Sequence, residues 1–95
     1  MEPNNQNPME DMVKSLAQMP EQDRKTMIRS RMESFAEMAD EEREKMMGMM
    51  TAARMKLPKE DQDKLMRSMN EVIMELPEDQ RSKIMATMKK LMPGM

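Results

Sequence analysis

The amino-acid sequence predicts an all-α fold built from tandem 19-residue repeats, each forming one helix. Residues that favour β-strands are scarce, because the chain has one Phe and no Trp or Tyr. A short motif consists of an apolar residue, a proline and acidic residues. Its prolines are Pro20, Pro58 and Pro77. This spacing predicts a further start at Ala39. The four repeats then run over residues 20–38, 39–57, 58–76 and 77–95.

Each repeat carries one apolar stripe. We number the positions of a repeat from zero at its proline, or at Ala39 in the second repeat. Apolar residues concentrate at positions 7, 8, 11, 15 and 18, which share an arc of roughly 120° on a helix. The pattern therefore predicts one amphipathic helix per repeat, with a core rich in methionine, which supplies 19 residues.

The predicted elements follow in order along the chain. Residues 1–8 are polar and predict a disordered tail before a helical repeat domain at 9–95. The first helix, 9–18, is the latter half of a truncated repeat. Helices at 20–37, 58–75 and 77–92 begin with proline at the first helical position, and the helix at 40–56 begins with three acids that complement the helix dipole. Pro93-Gly94 ends the last helix.

Short connections between these helices turn each one back on its predecessor. Two architectures fit the pattern: a closed antiparallel bundle and a short superhelical array. A single apolar stripe favours the bundle, and strict repetition without insertions favours the array.

The segments Leu-Pro-Lys-Glu-Asp-Gln-Asp-Lys-Leu-Met (57–66) and Leu-Pro-Glu-Asp-Gln-Arg-Ser-Lys-Ile-Met (76–85) carry a resemblance. They resemble the short α-helical repeats of the MgtE magnesium transporter N-terminal domain and of the flagellar motor switch armadillo-like domains. The likeness covers roughly 20–92. It implies a right-handed superhelix of short helices, and in the transporters the acidic residues of this domain take part in magnesium sensing.

Composition argues against an enzyme. The chain has no His, no Cys and only two glycines, so nucleophile elbows and phosphate-binding loops cannot be built. We predict no catalytic residue and no cofactor. The formal net charge of −2 predicts no nucleic-acid partner, and no apolar run is long enough to predict a membrane span. The N-terminal residues lack the features of a signal peptide, which predicts a cytoplasmic protein.

Metal handling is one alternative for function. Met46, Met49 and Met50 have the soft thioether ligands that Cu(I) prefers, although the same spacing is required by an amphipathic stripe. The acidic helix N-termini could instead bind Mg²⁺, although the helix dipole also explains them. A reversible oxidant sink is a third reading of the methionines, weakened if they are buried.

Protein binding is the preferred prediction. Met55 and Met74 share repeat position 16, off the apolar stripe, and Met49 widens the stripe on its other flank. Gly48 in the same region permits close approach of another chain. These four residues predict a methionine-rich surface that binds an apolar helix of a partner protein or of a second copy, giving a homo-oligomer in the latter case.

Overall fold

The computed structural model describes residues 8–91, and this part of the chain is helical without any strand. The prediction of an all-α fold is confirmed. The predicted disordered tail lies outside the described residues except for Pro8, and so does the predicted stop at Pro93-Gly94. None of the described helices is long and apolar enough to cross a bilayer. The helices are α1 (Pro8–Gln18), α2 (Glu21–Glu37), α3 (Asp40–Met55), α4 (Lys59–Glu75) and α5 (Glu78–Leu91).

Helix starts fall one residue later than predicted at the prolines. Pro20 and Pro58 are N-cap residues with extended ψ angles of 151° and 150°, not first helical residues. The carbonyl of Pro20 accepts the first helical bond, from the Arg24 N–H at 2.9 Å. Ala39 has the same geometry, with ψ at 154° and its carbonyl 2.8 Å from the Arg43 N–H. The repeat boundary predicted at Ala39 is therefore confirmed.

Helices two apart along the chain run parallel and contact each other. Between α2 and α4, Arg24 Nε donates to Ser68 Oγ at 2.8 Å, and Arg29 pairs with Glu75. The partner number rises along both helices, so α2 and α4 point the same way. Because α3 connects the end of α2 to the start of α4, it runs in the opposite direction.

This register is the same for each pair of helices two apart. Arg43 Nε donates to Thr87 Oγ1 at 2.9 Å between α3 and α5, which joins repeat positions 4 and 10, as Arg24 and Ser68 do. The ion pair Lys56–Glu10 joins α3 to α1 through positions 17 and 9. The pair Arg29–Glu75 joins α2 to α4 through the same two positions. Here the basic residue holds position 9 and the acidic residue holds position 17. One docking geometry therefore repeats along the chain.

Each helix has two packing sides. Its forward side, with positions 4, 8, 12 and 16, faces helices later in the chain, and its backward side, with positions 7, 10 and 14, faces earlier ones. In α2 the forward residues Met32 and Ala36 are buried and the backward residue Ser34 is exposed. In α5 the backward residues Ile84 and Thr87 are buried and the forward residue Met85 is exposed.

The packing order is that of an array within a small bundle. Helices contact their neighbours two and three places along, whereas α1 and α5 make no contact within the described residues. A closed bundle would bring the first and last helices together. The order of contacts is therefore that of an array, although all five helices also pack around one cavity as in a bundle.

Methionine surrounds the core more than it fills it. The largest fully buried side chains are those of Phe35, Leu16, Met32 and Ile84. Most other methionines of the described part are half-buried against this cluster, at its edge. The expected methionine core is thus a centre of branched and aromatic residues with a flexible thioether rim.

Candidate functional site

Gly48, one of the four predicted binding residues, lies at the contact between α3 and α5. A Cβ placed on Gly48 would lie 3.6 Å from Leu91 Cδ2, an ordinary van der Waals distance. Leu91 of the chain itself therefore lies beside the glycine at which the sequence predicts close approach of a partner.

The three predicted binding methionines are exposed, and Met49 lies on a different side of the array from Met55 and Met74. Met49, Met55 and Met74 are 42%, 62% and 69% exposed. Met55 and Met74 lie on forward sides, at the C-terminal ends of α3 and α4, which run in opposite directions. Met49 lies on the backward side of α3. The structure therefore separates Met49 from the two methionines with which the sequence groups it.

The predicted Cu(I) ligands differ in burial. Met46 and Met50 pack against the buried cluster, and Met49 is exposed on α3. Within residues 8–91 no group of three or more carboxylates is arranged to hold a metal ion. Metal handling stays a prediction without a described site.

Residue size and burial at repeat position 16 depend on whether a later helix covers the forward side. Ala17 in α1 and Ala36 in α2 hold this position and are 2% and 3% exposed. Helices α4 and α5 lie three places further along and contact α1 and α2. Met55 and Met74 hold position 16 in α3 and α4, for which the described chain has no helix three places along. Repeat position 16 is therefore small and buried in α1 and α2, which later helices cover, and large and exposed in α3 and α4, which have no helix three places along.

The forward sides of α3, α4 and α5 carry methionines at positions that no later described helix covers, and we call this set of residues the open face. It comprises Met55, Met66, Met74 and Met85, of which Met66 is half-buried and Met85 is 51% exposed. The other end of the array is more polar, with Met27 as its exposed methionine among the described residues. The uncovered backward sides of α1 and α2 carry the exposed residues Asp11, Ser15, Ser30 and Ser34.

A position that the sequence reasoning overlooked connects successive helices. The side chain at position 4 reaches back five residues to a carbonyl at the end of the preceding helix. Arg24 donates to Met19 O at 2.8 Å and Gln62 donates to Leu57 O at 2.8 Å. The signal was present, since arginine holds position 4 in three of the four repeats.

The position-4 arginines divide by whether a later helix covers them. Arg24 and Arg43 are buried, and each also donates to a hydroxyl two helices along. Arg81 is half-buried and makes only long contacts, 3.3 Å to Leu76 O and 3.5 Å to Met74 O. It has no hydroxyl partner among the described residues. Arg81 thus stands at the edge of the open face as an incompletely bonded donor.

A buried arginine lies inside the apolar core. Arg54 is 8% exposed and occupies position 15, where Leu16, Phe35 and Ile73 are buried. It has no hydrogen bond or ion pair with any described residue, and its nitrogens are not fully buried, so the guanidinium reaches solvent. Burial lowers the pKa of the guanidinium, with no carboxylate opposing that shift. Its side chain lines a cavity of about 30 Å³ between the five helices.

Comparison with known proteins places the chain in a family. Residues 1–90 match the model of a family described as "Protein of unknown function (DUF3106)". No curated protein matches the chain, and no solved structure does. Since the match spans nearly all of the sequence, the chain belongs to the DUF3106 family.

Proposed function

We propose that this protein is a non-enzymatic interaction module whose open face binds an amphipathic helix. The observation that carries the proposal is the difference between the two ends of the array. Repeat arrays stay soluble when their end faces are polar. The backward end carries serines and an aspartate with one exposed methionine, Met27, whereas the forward end leaves Met55, Met74 and Met85 exposed.

Methionine suits such a surface energetically. Burying one exposed methionine side chain is worth roughly 1.5–3 kcal/mol. Several together offset part of the cost of association, which is at least about 4 kcal/mol. The flexible thioether also re-packs against differing apolar shapes. The open face is therefore suited to a helix with an apolar stripe more than to a rigidly matched surface.

The internal contacts indicate the chemistry of that helix. Within the chain, the forward side of α2 receives α4, which presents Leu65 and Val72 as apolar anchors and Ser68 as the acceptor for Arg24. Arg81 offers the same donor to an incoming helix. The preferred partner helix therefore carries an apolar stripe with a Ser or Thr placed to accept from Arg81.

A peptide of residues 59–75 tests the proposal, because α4 already docks on a forward side in the native chain. The chain has no Trp or Tyr, so a fluorescent label on the peptide reports binding by anisotropy. We expect saturable binding to the full chain that Met74→Glu and Met85→Glu weaken about tenfold or more, since a charge would enter an apolar contact. The control is Met27→Glu, a 40% exposed methionine on the backward side of α2, which should bind as wild type.

Two results would overturn the proposal. One is the absence of saturable peptide binding. The other is equal loss of binding in the Met27→Glu control, which would show a nonspecific effect of charge. Sedimentation equilibrium on the same variants then tells whether a second copy also occupies the face. The open-face variants should keep the wild-type melting temperature, whereas Met69→Glu, in the core, should unfold the chain.

A further inference from the structure

We propose that Met55, Met74 and Met85, the exposed methionines of the open face, are sites of reversible oxidation to the sulfoxide, and that this modification releases the partner helix. Hydroperoxides are the class of oxidant. The effect of the modification on binding rests on the function proposed above. The methionines of the core stay reduced, so the chain remains folded while its surface changes.

Composition makes methionine the residue on which a hydroperoxide acts in this protein. The chain has 19 methionines and no Cys, His, Trp or Tyr, so no other side chain competes for the oxidant. The sulfur lone pair attacks the terminal oxygen of the peroxide, the O–O bond breaks, and the proton moves to the departing oxygen, which leaves as an alcohol or as water. The thioether loses two electrons and becomes a sulfoxide. Sulfoxide reductases reverse the step, oxidising two thiols to a disulfide and releasing the oxygen as water.

Exposure separates the methionines of the open face from those of the core. Met55, Met74 and Met85 are each more than half exposed, whereas Met32 and Met47 are buried. Because the peroxide has to reach the sulfur atom, the exposed residues react before the buried ones. The contrast holds even within one repeat position, since Met47 and Met85 both hold position 8. The fold, and not the residue type, therefore selects which methionines are oxidised.

The core is insulated against the same oxidation. In the described part of the chain, the six largest fully buried side chains include one thioether, that of Met32. The other five are hydrocarbon side chains, which a hydroperoxide does not attack: Val13, Leu16, Phe35, Val72 and Ile84. Half-buried methionines pack against this centre from outside. Limited oxidation therefore changes the open face without entering the core.

A sulfoxide on the open face opposes the contact with a partner helix. Oxidation turns a flexible apolar side chain into a polar one and disrupts interfaces rich in methionine. Burying the sulfoxide oxygen under an apolar stripe without a hydrogen-bond donor costs free energy, whereas the oxygen is hydrated in the free protein. Oxidation therefore favours the free state, and reduction restores the surface that binds.

Limited oxidation of the full chain with hydrogen peroxide tests the proposal. The oxidant is removed before the labelled peptide of residues 59–75 is added, because that peptide contains methionines of its own. Mass spectrometry of proteolytic fragments gives the extent of oxidation at each methionine. We expect sulfoxide at Met55, Met74 and Met85 before Met32 and Met47, with the helical circular-dichroism spectrum retained and peptide affinity lowered about tenfold or more. Treatment with the two sulfoxide reductases, one for each epimer, and a thiol should restore the affinity.

Leucine variants separate the open face from the other exposed methionines, because leucine is apolar and is not oxidised by peroxide. In the triple variant Met55→Leu, Met74→Leu and Met85→Leu, peroxide should leave the peptide affinity at that variant's own starting value. The matched control combines Met27→Leu and Met49→Leu, which removes the other two exposed methionines of the described chain. In this control peroxide should lower the affinity by the same factor as in wild type.

The outcomes distinguish this regulation from the function on which it rests. Absence of peptide binding by the reduced protein would overturn both. Four results would overturn the regulation alone: oxidation of Met32 and Met47 as fast as of Met55, undiminished binding after oxidation of the open face, an equal loss of affinity in the triple leucine variant, and an affinity that the reductases do not restore.

Discussion

Replacing Arg54 by methionine should make the protein more stable. The side chain is 8% exposed, unpaired within the described residues and surrounded by apolar groups. Replacing even a paired buried charge by a well-packed apolar residue stabilises proteins by about 1–4 kcal/mol in known cases. Methionine has nearly the reach of the arginine stem and is apolar throughout. We therefore expect Arg54→Met to raise the free energy of unfolding by about 1–3 kcal/mol.

The assay is thermal and urea unfolding followed by circular dichroism. For a domain of this size, 1 kcal/mol corresponds to about 4–8 °C in melting temperature. The matched control is Arg43→Met, because Arg43 is 4% exposed in the same helix but fully bonded. Its loss leaves the Met38 carbonyl without that donor, and an unpaired buried polar group costs about 1–3 kcal/mol. The two substitutions should therefore move the melting temperature in opposite directions.

The reasoning would be refuted if Arg54→Met lowered the free energy of unfolding by 1 kcal/mol or more. That result would mean that solvent and the surrounding chain already satisfy the guanidinium.

Three further predictions follow from single positions. Gly48→Ala should raise the melting temperature, because a Cβ there meets Leu91 at an ordinary 3.6 Å and alanine favours the helix by about 1 kcal/mol; a lower melting temperature would contradict this. The pKa of Glu75 is lowered, mainly by its hydrogen bond from Arg29, so the stability it adds is present at neutral pH and is lost as pH falls below the ordinary value of 4.5. Glu75→Gln should lower the free energy of unfolding at pH 7, and its difference from wild type should become smaller at low pH in acid titrations. A difference that stays constant with pH would contradict the ion pair. Ala36→Met should destabilise by about 1–3 kcal/mol through overpacking, whereas Met74→Ala should be nearly neutral in the same melts; equal effects would contradict the two-sided packing.

Helix number and boundaries were predictable because they depend on local chemistry. Proline and acidic residues recur at fixed spacing, and even the boundary at Ala39, which lacks proline, is confirmed. The one-residue error at Pro20 and Pro58 arose because both the N-cap and the first helical position tolerate proline. The structure places the prolines as caps whose carbonyls accept the first helical bonds.

The binding residues were harder to predict because the single apolar stripe in the sequence does not distinguish the forward packing side of a helix from the backward one. All repeats share the arc containing positions 11, 15 and 18, but burial of its flanks depends on which neighbours a helix has. Met85 and Met47 both hold position 8, yet Met85 is 51% exposed and Met47 is 5% exposed. Periodicity alone cannot report that difference. Contacts between distant repeats, such as Arg24 with Ser68, also leave no local pattern.

Position 16 also limits how a partner helix can dock. Where α4 and α5 cover the forward sides of α1 and α2, alanines at this position allow close approach. Met55 and Met74 would hold a helix placed in the same geometry several ångströms further out. A partner helix, including the peptide of residues 59–75, therefore has to dock further from the array than α4 docks from α2. It has to lie between the methionine side chains or bring small residues opposite them, as Gly48 does for Leu91 within the chain. The same methionines that leave the face open thus select against unlimited stacking of identical repeats.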